Sequence, residues 1–222
     1  MPSAEIRKEI VDRVVARRGK LHLFDSLDPK KTALLVIDMQ NAFVAPGAPV
    51  EVPAARKIVP AINRLAAELR RRGVPVVWVQ HENRPGGSDW DGFFGRFVAP
   101  GSRAKAAAAL TAGSPMQTLW PELQVARGDL RVAKNRYSPF IGDSSNLRSL
   151  LNGKDTLLIA GTKTNVCCEC TARDAMMLDY KVVMLSDCTA ALSDEEHRAT
   201  LENMIQQFGD VLTADEALRL FV

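Results

Sequence analysis

The chain has 222 residues, of which 46% are hydrophobic and 25% charged, and this composition fits one globular domain with a sizeable core. The net charge is +3 without long runs of like charge, so neither nucleic acid nor a membrane surface is indicated as a partner. No apolar stretch approaches the roughly 18 residues of a membrane-spanning helix, and the first 20 residues lack a signal-peptide core. Three of the four cysteines are clustered, which favours a reduced, cytoplasmic setting over a disulfide framework.

The first predicted element is an amphipathic helix at residues 4–17, where apolar residues recur at helical spacing. It could pack on the outside of the protein or form an oligomer contact, and the pattern does not decide between the two. We treat residues 1–29 as an N-terminal helical extension and residues 30–222 as the main domain.

Strand and helix patterns alternate in the main domain. Short apolar runs predict strands at 32–37, 74–80, 130–134, 155–161, 181–186 and 210–213. Helices are predicted between them at 54–72, 144–152, 165–179 and 194–207. This alternation predicts a three-layer, doubly wound α/β sandwich with a mostly parallel central sheet of about six strands.

One long segment, residues 83–115, interrupts the alternation. It is rich in glycine, proline and serine and carries Trp90, Phe93, Phe94 and Phe97. A long aromatic-bearing segment inside a compact domain is more typical of a loop that covers a site than of a linker.

Three chemically reactive side chains are expected at the carboxyl ends of predicted strands. Asp38 follows the first strand, Lys134 ends the third, and Cys167 begins the helix after the fourth. Each alone could be structural: a loop cap, a surface lysine, a buried cysteine. Because the carboxyl ends of parallel strands meet at one edge of a sheet, we expect the three to converge there.

These residue types suit covalent catalysis on an amide. A cysteine at a helix N-terminus is exposed to the positive end of the dipole, which favours the thiolate. A carboxylate can accept the thiol proton, and an ammonium keeps that carboxylate ionised. The backbone turn of residues 161–167 can direct N–H groups at a developing oxyanion, so acyl transfer to Cys167 and hydrolysis of the thioester would follow.

Three sequence motifs resemble the cysteine hydrolases of the isochorismatase-like superfamily, from about Lys30 to the C-terminus. They are DMQNAF from residue 38, VAKNRYSPF from residue 132, and GTKTNVCCECTARDA from residue 161 with the downstream DYKVVMLSDCTAALS. The resemblance implies a catalytic triad of Asp38, Lys134 and Cys167.

The same resemblance implies the backbone around the nucleophile and the assembly. It places a cis peptide at Thr162–Lys163 and an oxyanion hole formed by the N–H groups of Lys163 and Cys167. Members of the superfamily commonly form dimers or tetramers, so a homodimer or homotetramer is expected.

The presence of Cys167 indicates the amidohydrolase branch, because isochorismatases proper, which cleave a vinyl ether, lack this cysteine. The motifs look closest to ureidoacrylate and N-carbamoyl amidases, which implies release of ammonia from a small linear amide or a ureido or carbamoyl compound. Maleamate, nicotinamide, biuret and lactams remain alternative substrates. Nicotinamidases carry an Asp/His metal cluster where this chain has only His81, so we predict no metal ion and no cofactor.

Several residues beside the triad segments are candidate substrate contacts, although each could equally be packing. The candidates are Gln40, Asn41, Phe43, Trp78, Asn83, Tyr137 and Phe140. Arginines that could clamp a carboxylate, with a solvated surface role as the alternative, are Arg84, Arg96 and Arg136.

Other functions fit the sequence less well. The cysteines crowd one helix turn and do not all point the same way, which argues against zinc even with His197 and Cys188 as further ligands. Cys167 and Cys170 have the C-x-x-C spacing of a redox pair, although the family more often has valine and serine at 168 and 170. Gln40 breaks the D-x-D motif of a haloacid-dehalogenase phosphatase. A non-enzymatic binding module of the same fold also remains open.

Overall fold

The computed structural model describes residues 6–84 and 89–222, and its centre is a six-stranded sheet in which every strand pair is parallel. The strands are β1 Thr32–Ile37, β2 Val76–His81, β3 Leu130–Lys134, β4 Thr156–Thr162, β5 Lys181–Ala190 and β6 Asp210–Leu212. Their order across the sheet is β3-β2-β1-β4-β5-β6. The predicted α/β sandwich is confirmed, with all strands parallel rather than most of them.

Helices cover both faces of this sheet. They are α1 Lys8–Arg18, α2 Asn41–Val44, α3 Ala55–Arg71, α4 Asp91–Phe97, α5 Pro100–Ala109, α6 Leu147–Leu150, α7 Glu169–Met177, α8 Asp194–Asn203 and α9 Ala214–Arg219. Two π-helical turns, Thr164–Cys168 and Met204–Phe208, join onto α7 and α8.

The structure differs from the predicted elements mainly in the segment 83–115, where α4 and α5 replace a loop. Pro100 occupies the start of α5, and alanines dominate the rest of that helix, so a helix signal was present. The predicted helix 144–152 is reduced to the single turn α6, and β5 continues to residue 190 through a bulge opposite β4. Residues 4, 5 and 85–88 of the predicted segments lie outside the described residues.

Two apolar cores lie on opposite faces of the sheet, and β1 contributes to both. Leu34 and Val36 pack on the face covered by α3 and α9, whereas Ala33, Leu35 and Ile37 pack on the face covered by α1, α7 and α8. All six residues of β1 are buried. This two-sided burial explains why the strand has a continuous apolar sequence rather than an alternating one.

The N-terminal helix α1 packs against the second of these cores through Ile10 and Val14. Arg7, just before the helix, binds Glu202 of α8, with Nη2 2.6 Å from Oε2. Gly19 ends the helix with a φ of 80°, a left-handed conformation that glycine adopts without a steric penalty. The division into an extension and a main domain stays a prediction.

Candidate active site

The three predicted reactive residues meet at the carboxyl edge of the sheet, where the strand order reverses between β1 and β4. Such a reversal leaves a crevice above the strand ends. Lys134, from the end of β3, donates from Nζ to Asp38 Oδ2 at 2.8 Å, and both side chains are fully buried. Lys134 Nζ also donates to the carbonyl of Arg136 at 3.1 Å.

Opposing effects set the ionisation of this buried pair. Burial has the largest effect on Asp38 and raises its pKa. The Lys134 ammonium lowers that pKa by a smaller amount. For Lys134, burial alone would lower the pKa, but attraction to Asp38 and to Cys167 outweighs it and the pKa is raised. The lysine is therefore charged, and it acts as the counter-ion of the carboxylate.

Cys167 lies in the π-helical turn beside Asp38 and is 5% exposed. Burial, and next the charge of Asp38, raise the pKa of its thiol well above the ordinary value. The expectation that the helix N-terminus favours a thiolate is thus corrected, because burial and a neighbouring carboxylate dominate. Asp38 Oδ1 is buried and has no hydrogen-bond partner within the described ranges, so it is free to accept the thiol proton.

The backbone before Cys167 has the predicted cis peptide at Thr162–Lys163. The Lys163 carbonyl accepts hydrogen bonds from the N–H groups of Val166 and Cys168, both at 3.1 Å. By contrast, in the part of the chain that the structure describes, the Lys163 N–H donates to no other backbone group of the turns and loops. The oxyanion hole of Lys163 and Cys167 stays a prediction.

Gly161 allows the end of β4 to approach β1 closely at this point. Its φ is +112°, and a Cβ there would lie 2.0 Å from the carbonyl oxygen of Ile37. Any side chain would force apart the two strands that carry Asp38 and the Cys167 turn. Asp38 itself has a φ of 53°, a left-handed conformation that aspartate tolerates better than most residues.

Helix α8 makes hydrogen bonds to the π-helical turn and to the start of α7. His197 Nε2 is 3.1 Å from the carbonyl of Ser186, so it carries the proton and Nδ1 accepts from Thr164 Oγ1 at 2.8 Å. Thr200 of the same helix donates to Glu169 Oε2 at 2.8 Å. The sequence suggested His197 only as a weak metal ligand, but the structure gives it a supporting role behind the turn.

A cavity of about 460 Å³ opens above Cys167. Of the predicted substrate contacts, Phe43 and Tyr137 line it. The aromatic residues Trp90, Phe93 and Phe94, which were singled out in the predicted covering segment, line it too. Phe97 does not, and it is 78% exposed.

Gln40 and Asn41 are placed differently from the prediction. Gln40 is buried and bridges two strands, with Nε2 donating to the carbonyl of His81 at 2.9 Å and Oε1 accepting from its N–H at 2.7 Å. Asn41 Nδ2 donates to the Pro115 carbonyl and to Thr118 Oγ1, both at 3.0 Å. Neither side chain lines the cavity, because each holds the backbone around it.

Asn83, Phe140 and Trp78 are also packing residues rather than cavity walls. Asn83 Oδ1 is 3.2 Å from His81 Nε2. Phe140 belongs to the core that contains α7, and Trp78 is buried in the opposite core. These placements favour the packing alternative for the three residues, and their role as substrate contacts stays a prediction.

The three candidate arginines have contacts away from the cavity or are exposed, which favours the surface alternative given for them. Arg84 binds Asp89 through its N–H at 2.5 Å and through Nε at 2.6 Å. Arg136 donates to the carbonyl of Asp89 at 2.7 Å, and its guanidinium lies 5.2 Å from the centre of the Trp90 ring. Arg96 is exposed and does not line the cavity.

Acidification is expected to destabilise the fold through His81. Burial lowers the pKa of His81 to about 3, whereas an unfolded histidine titrates near about 6.5. The unfolded state therefore binds more protons between these values, and stability falls by up to about 1.4 kcal/mol for each pH unit lowered through this window. We expect the free energy of unfolding of His81→Asn, measured with urea between pH 7 and 4, to depend less on pH than that of wild type. Equal slopes of this free energy against pH would contradict the prediction.

The remaining features concern metal binding, membrane spans and the two other clustered cysteines. No group of three or more His, Cys, Asp or Glu side chains arranged to hold a metal ion occurs in residues 6–84 and 89–222. Within the same ranges, none of the helices has both the length and the apolar character needed to cross a bilayer. Cys168 is buried, with Sγ 3.9 Å from the Ala160 carbonyl, and Cys170 is partly exposed.

The chain is an α/β protein with a buried Asp–Lys–Cys cluster at the carboxyl edge of its sheet. The isochorismatase domain family matches residues 32–216. A probable inactive nicotinamidase of Arabidopsis thaliana is 35% identical over 183 residues, which is 79% of this chain and 88% of that protein. A ureidoacrylate amidohydrolase of Caulobacter vibrioides is 33% identical over 210 residues, 84% of this chain and 89% of that protein. The chain belongs to the isochorismatase family.

A solved structure shows the same relationship in three dimensions. It is a cysteine hydrolase from Pseudomonas syringae pv. phaseolicola, with a TM-score of 0.80 and 31% sequence identity. The match covers 87% of this chain and 93% of that one. The similarity therefore extends over most of both chains.

Proposed function

We propose that the protein is a cysteine-dependent amidohydrolase that cleaves a C–N bond of an amide, ureido or carbamoyl compound and releases ammonia. One observation carries the proposal: a buried ion pair, 2.8 Å between Lys134 Nζ and Asp38 Oδ2, stands beside the Cys167 thiol at the base of a cavity. The names of the similar hydrolases support the same chemistry.

In the first half of the reaction, Asp38 removes the thiol proton as Cys167 Sγ attacks the amide carbon. The carbonyl oxygen becomes an oxyanion, which accepts hydrogen bonds from the N–H groups of Lys163 and Cys167. Asp38 then returns the proton to the leaving nitrogen, the C–N bond breaks, and a thioester on Cys167 remains. Lys134 keeps Asp38 ionised before the attack and balances the negative charge during it.

The second half of the reaction regenerates the thiol. Asp38 removes a proton from a water molecule, whose oxygen attacks the thioester carbon. The same two N–H groups bind the second oxyanion. The C–S bond breaks, the acid product leaves, and Cys167 regains its proton from Asp38. Each half uses one carboxylate as base and then as acid, which fits a buried carboxyl whose pKa burial raises.

A screen for ammonia release tests the proposal. Purified protein is incubated with ureido acids, maleamate, N-carbamoyl amino acids, biuret, nicotinamide and simple primary amides, and intact-protein mass is recorded during turnover. We expect at least one compound to release ammonia and to leave a transient acyl mass on the protein. Absence of both across the panel would contradict the proposal and favour a binding role.

A further inference from the structure

The cavity above Cys167 has an aromatic wall with fixed geometry. The ring centres of Trp90 and Tyr137 are 4.7 Å apart in an edge arrangement, and those of Trp90 and Phe93 are 4.9 Å apart and stacked. Phe93 also meets Tyr137 at 5.7 Å, and Phe94 at 5.3 Å. These contacts connect α4 to the loop after β3, so the rings form one surface facing the reactive centre.

Two of the titratable side chains that line this cavity, Glu51 and His81, carry no free charge. Glu51 lines the cavity, but its carboxylate binds Arg56 Nη1 at 2.8 Å and the N–H of Gly47 at 2.8 Å. His81 is neutral above a pH of about 3, because burial lowers its pKa to that value. No arginine lines the cavity among the described residues; the nearby Arg136 donates to the backbone carbonyl of Asp89 and lies against the Trp90 ring.

The volume of the cavity favours a bulky substrate. Pockets of roughly 300–1,000 Å³ hold ligands of drug size, and this one measures about 460 Å³. A short ureido acid would leave most of the aromatic wall in contact with water. Its carboxylate would also lose hydration without an arginine to receive it, and burial of an unpaired charge is unfavourable.

Resting on the proposed amidohydrolase function, we propose that the preferred substrate carries a bulky, uncharged, largely apolar acyl group, such as an arylalkyl group, on the scissile amide. The group packs against Trp90, Phe93 and Tyr137, while its carbonyl carbon faces Cys167. Lys163, which is partly buried, is a positively charged residue of the lining, so the effect of substrate charge is tested separately from that of substrate size.

Four amides that differ in one substituent distinguish the effect of substrate size from that of substrate charge. Butanamide is short and neutral, succinamate is short and anionic, 3-phenylpropanamide is bulky and neutral, and 3-(4-carboxyphenyl)propanamide is bulky and anionic. We expect kcat/KM for ammonia release to be highest for 3-phenylpropanamide, by on the order of 10-fold or more over butanamide. A higher value for either anionic member of a pair would overturn the proposal, as would equal values for short and bulky amides.

Variants of the aromatic wall provide an independent readout. In Trp90→Ala and Phe93→Ala, the ratio of kcat/KM for 3-phenylpropanamide over butanamide is expected to fall on the order of 10-fold. Phe24→Ala, an aromatic substitution at a partly buried position outside the cavity, should leave that ratio unchanged. An unchanged ratio in both wall variants would contradict the proposal.

The two proposals fail in different ways. If succinamate or a ureido acid is the best substrate, Cys167 chemistry stands and only the inferred preference is wrong. If none of the amides releases ammonia or acylates the protein, both the amidohydrolase function and the inferred substrate preference are wrong.

Discussion

Replacement of Cys167 by alanine is expected to lower kcat for ammonia release by on the order of 10³-fold or more. No other thiol can take over the attack on the substrate. Cys168 is buried with its Sγ toward the Ala160 carbonyl, and Cys170 does not line the cavity. Steady-state ammonia release and intact-protein mass measure the effect, and the acyl adduct seen with wild type should be absent.

Cys170→Ser is the matched control, since it changes a partly exposed thiol three residues further along, outside the cavity. It should keep wild-type kcat and still form the acyl adduct at Cys167. If instead Cys170→Ser loses activity in step with Cys167→Ala, the C-x-x-C pair would be acting as a unit, and the single-nucleophile mechanism would be wrong. Retention of activity by Cys167→Ala would reject the mechanism directly.

The convergence of the site could be predicted from sequence because it depends on topology alone. Asp38, Lys134 and Cys167 each end or follow a strand, and parallel strands deliver their carboxyl ends to one edge. That argument needs neither side-chain geometry nor loop conformation. The continuous apolar runs of β1 and β4 likewise indicate a sheet covered on both faces.

The walls of the cavity could not be predicted in the same way. Gln40 lies two residues from Asp38, yet its amide is used to bridge the ends of β1 and β2. Trp90 and Phe93 are distant in sequence from the triad motifs, but α4 packs them against Tyr137. Nearness in sequence says little about which residues face a cavity formed by long-range packing.

The ionisation state of the Cys167 thiol could not be predicted from the sequence either. A helix N-terminus favours a thiolate, but the size of that effect depends on burial and on neighbouring charges. Here the thiol is buried beside Asp38, and its pKa is raised rather than lowered. The reactive cysteine therefore needs a base at the moment of attack, and the sequence alone could not distinguish this from a preformed thiolate.

Lys134→Met is expected to reduce the free energy of unfolding by about 3–5 kcal/mol and to abolish ammonia release. The substitution leaves the fully buried Asp38 carboxylate without its counter-ion. Asp38 should then take up a proton in the folded state, because burial raises its pKa and the opposing effect of Lys134 is gone. The folded state would hold one more proton than the unfolded state above a pH of about 4, so stability should fall as the pH rises.

The double variant Asp38→Asn/Lys134→Met separates structure from catalysis. Removing both charges eliminates the unpaired carboxylate, so urea unfolding should show recovery of most of the stability lost in Lys134→Met. Ammonia release should stay absent, because asparagine cannot accept the thiol proton from Cys167. A double variant that is stable and inactive assigns the ion pair to the reaction. One that is stable and active would show that Asp38 and Lys134 only hold the strand ends together.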